Sequence, residues 1–181
     1  MDLNHQGYDR FVADANAGRI PVGIDRAFAR AVYLQMPFAD LERETGEAPF
    51  IEKFFVRAAW CLSWTMMLGS LVLAVLGFGW LAVLVVPCLV LAGGTISALS
   101  AGGNSSLFRL TIFLGFVWFV HSRGWIPNEK GSLSVVVLCI GTWFDRLVYA
   151  SSTFFLRALV LRNRRAFHLF RAGVHTEGRI S

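Results

Sequence analysis

The sequence predicts an all-α membrane protein that crosses a bilayer about four times and carries a short helical cap at its N-terminal end. Three observations lead there. Apolar residues make up 55% of the 181-residue chain and charged residues only 16%, against roughly 45 to 50% and 25% in soluble domains. Between Arg57 and Arg109 lie 51 consecutive residues without a charge, where a spanning helix needs about 20. The excess of positive charge is uneven: residues 1–57 sum to −2, 58–144 to +2 and 145–181 to +5. With 14% aromatic residues, a disordered chain is excluded as well.

The elements follow in order. Residues 1–56 are too few to enclose a core of their own, since chains below about 60 residues rarely do, so they read as a cytoplasmic cap. Asp9 to Ala17 predicts a short helix ended by Gly18. Ile24, Phe28, Ala31, Val32 and Gln35 predict a second that Pro37 stops. Pro49 suits the first turn of a helix that runs through Phe50, Ile51, Phe54 and Phe55 in the headgroup region. Spans are expected at 58–77, 79–101, 107–125 and 133–156, with Gly77-Phe78-Gly79-Trp80 and residues 102–106 as turns and 122–131 as a polar loop. Pro87 would kink the second span. A membrane bundle of 57–161 and a basic cytoplasmic tail of 162–181 complete the division.

The fourth segment holds the most information. Leu133 to Phe144 is apolar or small, Asp145 and Arg146 interrupt, and an apolar stretch resumes to Leu161. Twelve residues reach only about 18 Å, short of a hydrocarbon core about 30 Å thick. A helix continued to Leu156 would cross, with Asp145 and Arg146 near mid-depth. At 100° per residue, Thr142, Asp145, Arg146, Tyr149, Ser152, Thr153 and Arg157 share an arc of about 140°. Leu147, Val148, Phe154 and Phe155 lie outside that arc and would face lipid. An interfacial amphipathic helix starting near Asp145 would show the same pattern.

Ionisable groups at mid-depth cost several kcal/mol unless paired or hydrated. Tyr149 can reach Asp145 and Thr142 can reach Arg146 along the helix, yet no other predicted span offers an ionisable residue at that depth. The stripe therefore implies another membrane protein, a second copy of the chain or a hydrated cavity. Its bland reading is a locally satisfied pair that serves packing or insertion. Small residues at Gly93, Ser97 and Ala101, and at Gly94, Ala98 and Gly102, recur every fourth position, which lets helix backbones approach closely. Arg157, Arg162, Arg164, Arg165 and Arg171, interleaved with Phe167, Leu169 and Phe170, suit anionic lipid headgroups. Nucleic-acid binding is not expected, because no such module surrounds them.

Four spans put both termini on one side, and the positive-inside rule makes that side cytoplasmic. No cleavable leader is expected, since the first apolar run starts near residue 58. Fifteen Arg against two Lys suggest a bacterial inner membrane. Cys61, Cys88 and Cys139 fall in predicted spans and His5, His121, His168 and His175 show no ligand spacing, so neither disulfide, metal nor cofactor is expected. Nucleotide, hydrolase and metalloprotease motifs are absent, which argues against an enzyme. The expected function is that of an accessory or scaffold subunit docking on a transport, secretion, conjugation or respiratory complex through the stripe. The rival is a self-assembling pore or transporter unit that uses Asp145 and Arg146 as an ion or proton path.

Overall fold

A computed structural model describes residues 5–47, 49–81, 105–125 and 128–176. They are mostly helical. The order is α1 (His5–Asn16), β1 (Val22–Ile24), α2 (Arg26–Gln35), α3 (Phe38–Thr45), α4 (Phe50–Phe78), a 3-10 turn Gly79–Leu81, α5 (Ser105–Ser122), α6 (Glu129–Arg162), α7 (Arg164–Leu169), a second 3-10 turn and β2 (Val174–Thr176). The expected span at 79–101, with its small residues Gly93, Gly94, Ser97, Ala98 and Ala101, lies almost wholly outside the described residues. The chain divides into two compact units, one of Met1–Arg57 with Tyr149–Ser181 and one of Ala58–Val148.

In the first unit, local signals place the helix ends. Gly18 follows α1 at φ +70, a conformation that costs glycine nothing. Asp25 caps α2, its Oδ1 accepting the Phe28 N–H at 2.7 Å. Extended Met36 precedes Pro37, as proline demands of the residue before it. Helix α3, which the sequence reading left unassigned, runs from Pro37 to Gly46, whose left-handed backbone donates to Glu42 O at 2.7 Å. The α2 terminus exposes carbonyls with no basic residue in its own last turn. Lys53 Nζ donates to Met36 O instead, and Arg57 Nη2 lies 3.5 Å from Leu34 O, so α4 supplies the cations that a helix C-terminus favours.

Both chain ends build the core of this unit. Phe167 of α7 packs on Tyr8 and Phe11 of α1 at 5.7 and 5.1 Å between ring centres, and Phe170 packs on Phe28 of α2 at 6.1 Å. Tyr8 donates its hydroxyl proton to Val160 O at 2.9 Å. Strands β1 and β2 pair antiparallel, Val22 with Thr176 and Ile24 with Val174, a short sheet outside the all-α expectation. A side chain at Gly173 would enter the Phe28 ring. Asn163 ends α6 and caps α7, accepting from Arg165 N and Ala166 N, while its amide donates to Thr45 O and Glu47 Oε1. The segment expected as a free basic tail is thus the second half of the cap.

Tyr33 of α2 is fully buried against Phe155, and its hydroxyl has no hydrogen-bond partner among the described residues. Burial, with Glu52 adding to it, pushes its ionisation well above the ordinary phenol range. The folded state therefore holds this proton more tightly than the unfolded one, a contribution that is full below pH about 10 and lost above it. Tyr33→Phe is expected to leave the cap unchanged or about 1 kcal/mol more stable, because an unpaired hydroxyl is removed. It should also lessen the loss of stability above pH 10, read as protease resistance of the cap against pH.

In the second unit, α4 and α6 run antiparallel on a seam of small residues. Ser63 Oγ donates to Gly141 O at 2.9 Å and Ser70 Oγ to Ser134 O at 2.8 Å, seven residues up one helix against seven down the other. Where Gly77 follows at the same interval, a Cβ would stand 2.7 Å from the Gly131 backbone nitrogen. Asn128 closes the far end, its amide donating to Gly77 O at 2.7 Å while its Oδ1 accepts Gly131 N–H. Helix α5 also runs antiparallel to α6: Trp143 Nε1 donates to Thr111 Oγ1 at 3.1 Å, and His121 Nδ1 lies 2.8 Å from Ser132 Oγ. The same Ser132 hydroxyl lies 2.9 Å from Glu129 O.

Candidate functional site

The candidate site is the polar stripe of α6. The helix is continuous through Asp145 and Arg146 and spans 34 residues, Glu129–Arg162, about 51 Å at 1.5 Å per residue. Its depth relative to α4 follows from the seam. Ser63 opposite Gly141 and Ser70 opposite Ser134 set Arg146 level with Ala58 and Asp145 level with Ala59, directly after Arg57. Along α4 the pair is therefore level with the start of the uncharged run that follows Arg57. Fourteen uncharged residues, 131–144, separate Lys130 from Asp145, and the long side chains at both ends can reach outward.

The rest of the stripe is occupied within the chain. Arg30 of α2 lies over the Tyr149 ring, its Cζ 4.8 Å from the centroid, and donates to the Tyr149 hydroxyl. Tyr149, which the stripe places beside Asp145, thus meets a cation of α2. Thr142 and Thr153 return their hydroxyl protons to Leu138 O and Tyr149 O of their own helix, the i−4 bond such residues make inside helices. Ser152 is fully buried and Ser151 nearly so. Of the side chains expected to face lipid, Phe154 is exposed, but Val148 is buried and Phe155 packs on Tyr33 and Phe55. The burial of Phe155 follows Tyr33 and Phe55, which the helical wheel of α6 alone cannot contain.

The arginines expected at headgroups divide. Arg157, Arg165 and Arg171 are exposed and Arg164 is partly covered. Arg162 lies 3.9 Å from Glu52 Oε1, an exposed pair worth at most about 1 kcal/mol. Among the described residues, no three His, Cys, Asp or Glu side chains converge as metal ligands would.

The depth of the acidic and basic pair is testable. Asp145→Asn and Arg146→Gln are each expected to cost about 1 kcal/mol or less in thermal stability, as for partly exposed groups near water. Groups buried at mid-depth and left without their counter-charge would cost about 3 to 5 kcal/mol.

Seams of serine and glycine at seven-residue intervals, 63-70-77 facing 134-141, were the signal the sequence reading passed over in favour of the denser small residues at 93–102. In comparisons with known proteins, the chain matches no family model, no curated protein and no solved structure.

Proposed function

We propose that the chain is a non-catalytic integral membrane scaffold or accessory protein that crosses a bilayer four times, presents on one side a cap made from both chain ends, and docks on a partner membrane complex. The observation that carries this reading is the exposure of its long apolar helices. Helices α4 and α6 are long and apolar enough to cross, yet only 17% and 33% of their apolar windows are covered, where the core helix of a soluble protein would be mostly buried. Twenty residues from Ala58 to Gly77 measure about 30 Å, the thickness of a hydrocarbon core.

The count of four rests on length: the 51 uncharged residues between Arg57 and Arg109 are enough for two crossings of about 20 residues each. Helices α4 and α5 both run antiparallel to α6. Four spans put both termini on one side, and the positive-inside rule assigns that side to the cytoplasm of a bacterial inner membrane. Anionic lipid meets the exposed Arg157, Arg165 and Arg171. Tyr149 of the stripe meets Arg30 of α2, and the docking is assigned to Thr142, Asp145 and Arg146; the rival reading gives Asp145 and Arg146 an ion or proton path in a self-assembling pore or transporter unit.

Two measurements test this. In a chain lacking its native cysteines, Ser106→Cys should react with a membrane-impermeant thiol reagent only from the cytoplasmic side and Trp125→Cys only from the other. Labelling of both from one side would leave two spans. Purification in mild detergent with mass spectrometry should recover a hetero-complex. A homo-oligomer with Asp145-dependent flux would favour the pore, and a chain that always purifies alone would end the docking reading.

A further inference from the structure

The exposed apolar face of α4 starts two turns before the crossing segment. Phe50, Ile51 and Phe54 are 63%, 78% and 66% exposed. Phe50 stacks on Phe54 with 6.3 Å between ring centres, and Phe38 of α3 meets Phe50 edge-on at 6.0 Å. Two cap elements therefore contribute to one aromatic ladder. The charges of the same turns point elsewhere: Glu52 lies by Arg162 and Lys53 bonds Met36 O. Arg57, one turn further on, is exposed, with Nη2 3.5 Å from Leu34 O.

Such a ladder is costly in water, where contiguous exposed apolar patches mark an interaction surface. Its place on the helix identifies the occupant. Phe54, Cys61, Leu68 and Val75 recur every seventh residue and all are exposed, so the ladder continues without a break into the face read above as lipid-facing. At 1.5 Å per residue, Phe54 stands about 6 Å and Phe50 about 12 Å beyond Ala58. The headgroup layer of one leaflet is about 5 to 7.5 Å thick, half of what both leaflets add to the hydrocarbon core, so Phe54 falls within it and Phe50 on its water-facing side. Phenylalanine has no polar handle for water, and a guanidinium beside it suits a phosphate.

We infer that the Phe38, Phe50 and Phe54 ladder with Ile51 and Arg57 is a lipid seat, which holds the cap against the headgroup and acyl boundary of a leaflet rich in anionic phospholipid. The inference rests on the membrane reading of α4, and its test separates the two. Nitroxide labels are placed one at a time at Ile51, Phe54, Leu68 and Glu44 in the full chain without native cysteines, reconstituted in nanodiscs of phosphatidylcholine with or without phosphatidylglycerol. Collision with oxygen and with a water-soluble nickel chelate reports depth.

Leu68 should be open to oxygen and closed to the chelate, Glu44 the reverse, and Ile51 and Phe54 intermediate. Phosphatidylglycerol should reduce chelate access at Phe54, and Arg57→Gln should abolish that change. Chelate access at Leu68 would overturn the membrane reading itself. If Leu68 is protected while Ile51 and Phe54 are as open as Glu44, the seat alone fails. If both ladder sites are closed to oxygen and chelate alike, protein covers them, and the lipid assignment is overturned. Access that does not respond to phosphatidylglycerol overturns the anionic part.

Discussion

Replacing Gly77 by leucine is expected to separate α4 from α6 and to cost about 3 kcal/mol or more, at the upper end for forcing volume into a packed contact. The obstacle is backbone: a Cβ at Gly77 stands 2.7 Å from Gly131 N and 3.1 Å from its Cα, and neither can rotate away. Gly69→Ala is the control, because its Cβ meets only Val137 Cγ1, at 3.9 Å, an ordinary contact. The readout is the thermal midpoint in detergent together with oxidative cross-linking of Ser70→Cys to Ser134→Cys, whose parent side chain and carbonyl are 2.8 Å apart. Wild type and Gly69→Ala should cross-link readily and Gly77→Leu should not. Efficient cross-linking in Gly77→Leu would show that the seam is not what sets the register.

Ending the chain after Asn163 is expected to open the cap. It removes Phe167 and Phe170, which cover Tyr8, Phe11 and Phe28, and it strips β2 from β1. The single change Phe167→Ala should already cost about 3 to 5 kcal/mol, as truncation of buried aromatics does, and 3 kcal/mol multiplies the open fraction about a hundredfold. Limited trypsin digestion at Arg10, Arg19, Arg26 and Arg30 measures that opening. Neutralising Arg164, Arg165 and Arg171 together should leave the digestion rate near wild type, since the aromatic packing is kept. If the charge variant is digested as fast as the truncated chain, the tail acts by its arginines and not by its core residues.

Much was legible in particular residues. Gly18 and Pro37 act through backbone conformations within a few positions, so the C-terminal ends of α1 and α2 fall within a few residues of where the sequence puts them. The unbroken helix through Asp145 and Arg146 was likewise foreseen from the length needed to cross. Helix α3 escaped because its eight residues have a narrow apolar side, Leu41 with Thr45, which a reading tuned to longer periodicities does not register. Of the stripe, the arc was recognised and its environment was not. Arg30 is 119 positions from Tyr149, and no local pattern joins them.

Composition, uninterrupted apolar length and helix-breaking residues belong to the chain itself, so the mostly helical character and the two long apolar helices were settled before any contact was known. Which faces meet was decided only in three dimensions. Side-chain depth depends on sliding one long helix along another, where Ser63, Ser70 and Gly77 against Gly141, Ser134 and Gly131 admit one close register. The union of the two chain ends into a cap depends in turn on aromatic contacts whose entropy of closure no short stretch of sequence displays.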